Sequence, residues 1–248
     1  MDKKIGFVFP GQGSQYTNML SEHFKSSSKF NSVFEISKEI LGIDFRELIS
    51  EGTPDDLAAT QVTQPLLLTA NHALWKMTDL NPESVNLMAG HSLGEYSAYV
   101  AAETLNFEDA LRLVSLRAKY MQEAVKEGEG GIAAILGMQA EELSSICNQI
   151  TKQGDLVSMA NLNSENQIVI SGTKSGVDKV IMLSKENGAK RAIPLAMSVP
   201  SHCKLMKPAS EKFTEEINKI EFKKPKTEVI QNFSVSHTDD IGEIKQNL

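Results

Sequence analysis

The stretch Gly90-His91-Ser92-Leu93-Gly94 decides how the rest of the sequence is interpreted. A short apolar run precedes it at residues 85–89, and an alanine-rich stretch follows at residues 95–102. The first is typical of a buried strand and the second of a helix, so the Gly-x-Ser-x-Gly pattern lies at a sharp strand-to-helix turn. Such a turn exposes the hydroxyl of Ser92, and it directs the N–H of Leu93 outward at a helix N-terminus, where an oxyanion is favoured. Ser92 is therefore a candidate nucleophile; the alternative, that it only caps the helix, does not require glycine on both sides.

A second glycine-rich turn, Pro10-Gly11-Gln12-Gly13-Ser14-Gln15, follows the strand-like residues 4–9. A dinucleotide-binding loop would need glycine where Tyr16 stands, and it would need a later strand that ends in a ribose-binding acid. The sequence has neither feature. Two interpretations remain. Gln12 places its amide or backbone N–H over a neighbouring site, or the stretch is a plain strand-to-helix turn.

The predicted helix at residues 107–126 carries two arginines with different neighbours. Arg112 has Glu108 one turn earlier, which indicates a surface ion pair of small consequence. The neighbours of Arg117 at three and four residues are apolar or aromatic: Leu113, Val114, Tyr120 and Met121. A guanidinium on such a face needs an anion, which is either an internal carboxylate or the carboxylate of a bound substrate.

His202 lies in the predicted loop of residues 198–203, just before an amphipathic helix predicted at residues 205–220. An imidazole titrates near neutral pH, and an elbow serine is a weak nucleophile without a base, so His202 is a candidate base for Ser92. The alternative is a histidine at a helix start or in the core. His237 lies in a polar stretch and is predicted to be a solvated loop residue.

Residues 129–197 have a pattern of their own after the glycine-rich break at residues 128–131. Strands are predicted at residues 131–138, 156–161, 167–173 and 190–196, and helices at residues 139–151 and 175–187. This βαββαβ order predicts a ferredoxin-like subdomain. The fold class is therefore α/β: a larger α/β-hydrolase-like domain with a parallel sheet and a nucleophile elbow, formed by residues 1–128 and 198–248, plus the inserted subdomain. Within the larger domain, a buried helix is predicted to begin at Pro65.

Composition excludes several classes of protein. The 248 residues carry a formal net charge of −7, which argues against a nucleic-acid-binding protein. No apolar stretch approaches the ~18 residues that cross a bilayer, and the N-terminal residues 1–4 lead directly into a strand without a signal sequence. The two cysteines, Cys147 and Cys203, suggest neither a disulfide framework nor a metal site. We therefore expect a cytoplasmic protein without a metal.

Five motifs together resemble the malonyl-CoA:acyl carrier protein transacylases of bacterial fatty acid synthesis and the related acyltransferase domains of polyketide synthases. The motifs occur in the family's order and cover nearly the whole chain. They are Phe9-Pro10-Gly11-Gln12-Gly13-Ser14-Gln15, Thr63-Gln64-Pro65, Gly90-His91-Ser92-Leu93-Gly94-Glu95-Tyr96-Ser97, Arg117 with Tyr120-Met121-Gln122-Glu123-Ala124, and Val199-Pro200-Ser201-His202-Cys203. The Gly-x-Ser-x-Gly pattern alone would fit any esterase or thioesterase.

The resemblance implies a role for each candidate residue. Ser92 would accept the acyl group, and His202 would act as general base and then as general acid. Leu93 and Gln12 would supply backbone N–H groups to an oxyanion hole, and Arg117 would bind the free malonyl carboxylate. The resemblance further implies a monomeric cytoplasmic enzyme that uses malonyl-CoA and acyl carrier protein and needs no cofactor.

The family has a further segment after the helix predicted to begin at Ile241, and a carbonyl of that segment orients the histidine. This sequence does not contain it, so we expect reduced activity if the chain is complete as given. A truncated, inactive or docking-only domain is therefore one alternative, and a serine esterase or thioesterase is another. A hydrolase would share the elbow but would have no need for Arg117.

Overall fold

The computed structural model describes residues 4–195 and 199–248. The first three residues lie outside this part of the chain. So do residues 196–198, on which the end of the predicted strand at 190–196 and the start of the predicted loop at 198–203 fall. The chain divides into two compact units. The first is Met1–Ala118 with Phe213–Leu248, and the second is Lys119–Lys212.

Strands and helices alternate along much of the chain. The strands are β1 (Gly6–Phe9), β2 (Leu87–Gly90), β3 (Gly130–Leu136), β4 (Val157–Ser164), β5 (Gln167–Thr173), β6 (Arg191–Pro194) and β7 (Glu228–Ile230). The helices are α1 (Ser21–Ser26), α2 (Ser28–Leu41), α3 (Phe45–Glu51), α4 (Pro54–Ala58), α5 (Thr60–Met77), α6 (Gly94–Ala101), α7 (Phe107–Ala124), α8 (Ala140–Lys152), α9 (Lys174–Glu186), α10 (Lys207–Ile217) and α11 (Ile241–Asn247). Short 3-10 turns occur at Pro82–Ser84 and Lys204–Met206. In the described part of the chain, no helix is both long and apolar enough to cross a membrane.

The first unit contains a parallel sheet in the order β1-β2-β7. Phe9 pairs with Gly90, and Ala89 pairs with Ile230, so the three strands end close to the same level. Because parallel strands run in one direction, the loops that follow them leave from one edge of the sheet. This edge therefore collects the loop after β1, the elbow after β2 and the loop after β7.

Helix α5 is buried along most of its length, as its apolar sequence predicts. The prediction that it begins at Pro65 is wrong, because the helix begins at Thr60 and Pro65 lies inside it. Proline has no backbone N–H, so the hydrogen bond from residue 65 to the carbonyl of Gln61 cannot form. The helix loses this one hydrogen bond near its start. The extra turn brings the side chains of Thr60 and Gln64 onto a buried helix.

The second unit contains an antiparallel sheet in the order β4-β5-β3-β6. Its elements follow the order β3, α8, β4, β5, α9 and β6. The core between the sheet and the two helices is aliphatic and includes Ile135, Leu143, Val157, Ile170 and Val180. Cys147 lies in the same core, where burial raises the pKa of its thiol to about 11.

The boundaries between the units fall inside helices α7 and α10. The second unit is thus wider than the predicted subdomain of residues 129–197. The side chains of Thr53 and Asp56 form a capping box at the start of α4. The helix predicted to begin at Ile241 is confirmed. The carboxylate of Asp240 accepts the N–H of Glu243 at the start of α11.

His72 on α5 is the site of an acid-sensitive contact. Its ring stacks on the ring of Phe107, with centroids 4.3 Å apart and planes within 14°. Its Nδ1 atom is buried and has no hydrogen-bond partner in the described residues. Burial, together with the nearby charge of Lys76, lowers the pKa of His72 from 6.5 to about 4. The folded protein therefore favours the neutral imidazole.

We expect His72 to make the protein less stable in mild acid. Because its pKa is lower in the folded state, the unfolded chain takes up a proton first, and stability falls as pH drops through the range from 6.5 to about 4. Replacing His72 with Phe keeps an aromatic ring at this position and removes the proton site. Between about pH 7 and pH 4, the wild type should lose about 2 kcal/mol more unfolding free energy than His72→Phe, measured by urea denaturation. Equal losses in the two proteins would contradict this account.

Candidate active site

The predicted strand-to-helix turn at Ser92 is confirmed: β2 ends at Gly90 and α6 begins at Gly94. Ser92 has a left-handed φ of 51°, which costs a non-glycine residue about 1 kcal/mol or more. The turn is held by hydrogen bonds from the N–H of His91 to the carbonyl of Phe9 at 3.0 Å and from the N–H of Gly94 to the carbonyl of His91 at 2.9 Å. Leu93, rather than Ser92, occupies the N-cap position of α6. The structure therefore does not favour the interpretation of Ser92 as the helix cap.

Glycines allow the backbone around Ser92 to pack without side chains between the segments. A Cβ atom added at Gly90 would lie 1.9 Å from the carbonyl carbon of Gly94, and one added at Gly94 would lie 2.2 Å from the carbonyl oxygen of Phe9. A Cβ atom at Gly11 would lie 2.1 Å from the carbonyl oxygen of His91. All these obstacles are backbone atoms, which cannot move aside independently. The loop after β1 thus packs directly against the elbow.

The two predicted oxyanion donors lie on these adjoining segments. Leu93 is buried at the start of α6, and Gln12 is half-buried in the loop after β1. Within the described residues, neither backbone N–H donates a hydrogen bond. The side chain of Gln12 is held separately, because its Oε1 atom accepts a hydrogen bond from Thr60 Oγ1 at 3.1 Å.

Arg117 is half-buried and bonds to neutral groups. Its Nη1 atom donates to Gln64 Oε1 at 2.7 Å, and its guanidinium lies 5.6 Å from the centroid of the Tyr96 ring. Among the described residues, no carboxylate forms an ion pair with Arg117; the carboxylate of Glu95 acts on it only at longer range. The structure therefore does not support an internal carboxylate as its anion. Donors of the guanidinium remain for an anionic ligand.

A line of hydrogen bonds connects Arg117 with the loop that carries Gln12. Gln64, which bonds to Arg117, donates from its Nε2 atom to Thr60 Oγ1 at 3.1 Å, and Thr60 in turn donates to Gln12. Thr60 and Gln64 are fully buried and lie one turn apart on α5. The side chains of α5 thus link the candidate carboxylate-binding residue to a candidate oxyanion-hole residue.

His202 belongs to the second unit and is exposed there. Like Ser92, it has a left-handed φ, of 58°. Its loop is anchored by the ring of Pro200, which lies so close to Gly130 that an added Cβ atom would be 2.6 Å away. The thiol of Cys203 donates to the carbonyl of Pro200 at 3.1 Å. The backbone that presents His202 is therefore closely constrained.

The structure adds Asn232 and Glu95 to the surroundings of the elbow. Asn232 Oδ1 accepts the N–H of Ser92 at 3.1 Å, and Asn232 Nδ2 donates to the carbonyl of Gly90 at 2.7 Å. Glu95 Oε2 accepts from both the backbone N–H and the side-chain amide of Asn232. Burial raises the pKa of Glu95, while the hydrogen bonds from Asn232 and the charge of Arg117 act in the opposite direction.

The sequence patterns did not identify Gln64, Glu95 or Asn232 as supporting residues, although two of them stand out in the sequence. Gln64 lies in the Thr63-Gln64-Pro65 motif, and Glu95 is an acid at the head of an otherwise apolar helix, so each left a signal. Asn232 left none, because it is one polar residue in a polar stretch far from the elbow in sequence. In the described part of the chain, His, Cys, Asp and Glu form no cluster that could hold a metal ion.

Comparison with known proteins agrees with these features. The family described as the acyl transferase domain matches residues 6–245. The malonyl CoA-acyl carrier protein transacylase of Salmonella typhimurium is 44% identical over 246 residues, which are 99% of this chain and 79% of that protein. The transacylase of Bacillus subtilis is 45% identical over 245 residues, or 99% of this chain and 77% of that protein. This chain belongs to the malonyl CoA-acyl carrier protein transacylase family.

Solved structures of this transacylase family share the fold. The transacylase from Coxiella burnetii superimposes with a TM-score of 0.94 at 42% identity, covering 99% of this chain and 78% of that one. A malonyl-transacylase solved in complex with its type II PKS acyl-carrier protein gives a TM-score of 0.95 at 41% identity, covering 99% of this chain and 79% of that one. A parallel sheet and a separate antiparallel sheet are thus the architecture of this transacylase.

The close packing of the elbow predicts that Gly94→Ala inactivates the serine. A methyl group there meets the carbonyl oxygen of Phe9, so the elbow has to move, and a displacement of about 1 Å at a reacting group costs roughly 100-fold in rate. The rate of Ser92 modification by a fluorophosphonate, followed by intact mass, measures this effect. Gly6→Ala is the matched control, because its Cβ atom would meet only the Leu87 side chain at 3.7 Å. Equal rates in the two variants would refute the packing argument.

Proposed function

We propose that this chain moves a malonyl group from malonyl-CoA to the phosphopantetheine thiol of acyl carrier protein, through an ester on Ser92. The observation that carries the proposal is the environment of Arg117. This guanidinium is half-buried beside Tyr96 on the helix that begins at the elbow, and in the described residues it has no carboxylate partner. A free acyl carboxylate is the anion that such a site would take. Relatives at 44% and 45% identity carry the corresponding name.

In the first half-reaction, we assign His202 as the base that takes the proton of the Ser92 hydroxyl while the oxygen attacks the thioester carbonyl. The carbonyl electrons move to oxygen, and the backbone N–H groups of Leu93 and Gln12 stabilise that oxyanion. Each such donor is typically worth about 3 kcal/mol. Collapse of the intermediate breaks the carbon–sulfur bond, and His202 returns its proton to the departing CoA thiolate.

The second half-reaction repeats these steps with a different thiol. The phosphopantetheine thiol of the carrier protein gives its proton to His202 and attacks the malonyl-Ser92 ester. The same two N–H groups stabilise the oxyanion, and the serine oxygen leaves with the proton from His202. A solved relative in complex with its acyl-carrier protein supports a carrier protein as the second substrate.

We propose that Arg117 selects the acyl group by pairing with its free carboxylate in both half-reactions. Gln64 occupies one of its donors at 2.7 Å and fixes the direction of the guanidinium. A serine esterase or thioesterase would use Ser92 without this cation, so hydrolysis is the second function to be tested.

For the fold, we propose an α/β-hydrolase-like domain of residues 1–128 and 198–248 with a ferredoxin-like subdomain of residues 129–197. The elbow between β2 and α6 supports the first description. For the second, β3 and β5 pair at the centre of the antiparallel sheet and β4 and β6 lie at its edges. Helix α8 connects β3 to β4 and helix α9 connects β5 to β6, so each helix leads from a central strand to an edge strand. We also propose that the enzyme is a cytoplasmic monomer and needs no metal or organic cofactor.

Arg117→Ala should abolish the preference for malonyl over acetyl thioesters. We expect acylation of Ser92 by malonyl-CoA to fall at least about 100-fold, since a charge-assisted pair is lost, and acylation by acetyl-CoA to change little. Arg112→Ala is the matched control on the same helix, because Arg112 is exposed and forms ion pairs with Glu108 and Asp109 on the helix surface. Competition between the two thioesters, read by intact mass, gives the ratio. An unchanged ratio would reject Arg117 as the carboxylate-binding residue.

The transferase proposal is tested by incubating the chain with malonyl-CoA and following its intact mass. We expect a malonyl adduct that Ser92→Ala lacks, and we expect acyl carrier protein to discharge it at least about tenfold faster than buffer does. Discharge by water at the same rate would indicate a hydrolase. Failure to form an adduct would indicate the inactive or docking-only alternative.

A further inference from the structure

We propose that Asn232 and Glu95 are positioning residues that hold the nucleophile elbow in its reactive conformation. The inference deepens the proposed function and rests on it, since it assigns a support to the serine that would carry the acyl group. It starts from the pattern of hydrogen bonds around Asn232.

The side-chain amide of Asn232 spans the elbow. Its oxygen accepts the N–H of Ser92, and its nitrogen donates to the carbonyl of Gly90, on the other side of His91. The amide thus bonds to the backbone as a neighbouring peptide group would in a sheet. It joins two groups that flank His91, so it holds the backbone in place directly before Ser92, the residue with the left-handed φ.

Glu95 fixes the orientation of Asn232. One carboxylate oxygen accepts both the backbone N–H of Asn232, at 3.1 Å, and a hydrogen of its side-chain amide. Glu95 is only 4% exposed, so its bonds compete with little water. The side-chain amide can present its oxygen to Ser92 only while its nitrogen faces Glu95 and Gly90. A reversed amide would place oxygen against the carboxylate and the carbonyl.

The loop that carries Asn232 is itself anchored. The preceding residue, Gln231, is 1% exposed, and its Nε2 atom donates to the hydroxyl of Tyr99 on α6 at 3.0 Å. Its Oε1 atom accepts from Asn247 on α11 and from Ser234. Asn232, in contrast, is exposed, and within residues 4–195 and 199–248 its side chain bonds to the elbow and to Glu95 alone. Its contacts are those of a support for the elbow rather than of a core residue.

The oxyanion donor explains how these bonds affect the reaction. Leu93 directly follows Ser92, so a rotation of the Ser92 backbone turns the N–H of Leu93 as well as the serine hydroxyl. A support that holds the peptide group leading into Ser92 therefore restricts the movement of the nucleophile and of one oxyanion donor together. Loss of the support should slow acylation and leave binding of the thioester almost unchanged.

The test compares Asn232→Ala, Glu95→Ala and Glu95→Gln with the wild type in fluorophosphonate modification of Ser92. We expect Asn232→Ala and Glu95→Ala each to react at least roughly tenfold more slowly than the wild type. The double variant that combines them should react no more slowly than the slower of the two single variants. Glu95→Gln keeps an acceptor oxygen for Asn232 and should recover most of the rate. Phe233→Ala is the matched control, because the Phe233 side chain is next to Asn232 in the chain and is 79% exposed. Thermal unfolding confirms that each protein is folded at the assay temperature.

Malonyl-CoA kinetics separate positioning from a loss of structure. For Asn232→Ala, kcat should fall by the same factor as the fluorophosphonate rate, and KM should stay within about twofold. Wild-type rates in both folded alanine variants would overturn the proposal, as would a fall in Glu95→Gln equal to that in Glu95→Ala. If Asn232→Ala does not fold, Asn232→Asp decides, because it keeps the acceptor for Ser92 and loses the donor to Gly90; an unchanged rate in it would overturn the proposal. Modification by the fluorophosphonate requires neither malonyl-CoA nor acyl carrier protein. A wild type that reacts with the fluorophosphonate but not with malonyl-CoA would therefore reject the proposed function without rejecting the role of Asn232 and Glu95.

Discussion

The candidate site depends on the direct contact between two backbone segments that carry no side chains at the point of contact. Phe9 and Gly90 are paired in register, so the loop after β1 and the turn after β2 start side by side. Glycine at positions 11 and 94 then allows the two segments to approach to van der Waals distance, and glycine at position 90 allows the turn to pack against the start of α6. Backbone N–H groups from parts of the chain that are far apart in sequence can therefore serve one oxygen atom. Backbone donors have less conformational freedom than side-chain donors, so they are better fixed in the direction of that oxygen atom.

Helix α5 holds the polar side chains of the same region in place by hydrogen bonds. Thr60 and Gln64 lie one turn apart on a largely buried helix, and their hydrogen bonds reach Gln12 in one direction and Arg117 in the other. Buried polar groups of this kind are costly unless they are hydrogen-bonded, so these bonds favour one arrangement of the side chains. The residue proposed to recognise the acyl carboxylate and a residue proposed to stabilise the oxyanion are thus held by one rigid element.

Sequence predicted the parts of this arrangement that follow from local pattern. The elbow at Ser92 was predictable because glycine spacing, an apolar run and an alanine-rich helix coincide there. The strands and helices of residues 129–197 were predictable from hydrophobic periodicity. The start of α5 was not, because Pro65 is tolerated inside the helix when buried packing offsets one lost hydrogen bond. The contact of Asn232 with the elbow could not be predicted for a different reason. It depends on the order of the strands in the sheet, and local sequence patterns do not determine that order.

The β1-β2-β7 order also has a consequence for the newly made protein. Ser92 and Asn232 are 140 residues apart, and the strand that brings Asn232 to the sheet is the last of the three to be synthesised. Until β7 has been synthesised, the elbow segment exists without its partner from the residues after β7, and contacts of such long sequence separation form late in folding. A nascent chain therefore carries the serine before the backbone around it is secured. The order of the strands postpones completion of this part of the site until β7 and Asn232 have left the ribosome.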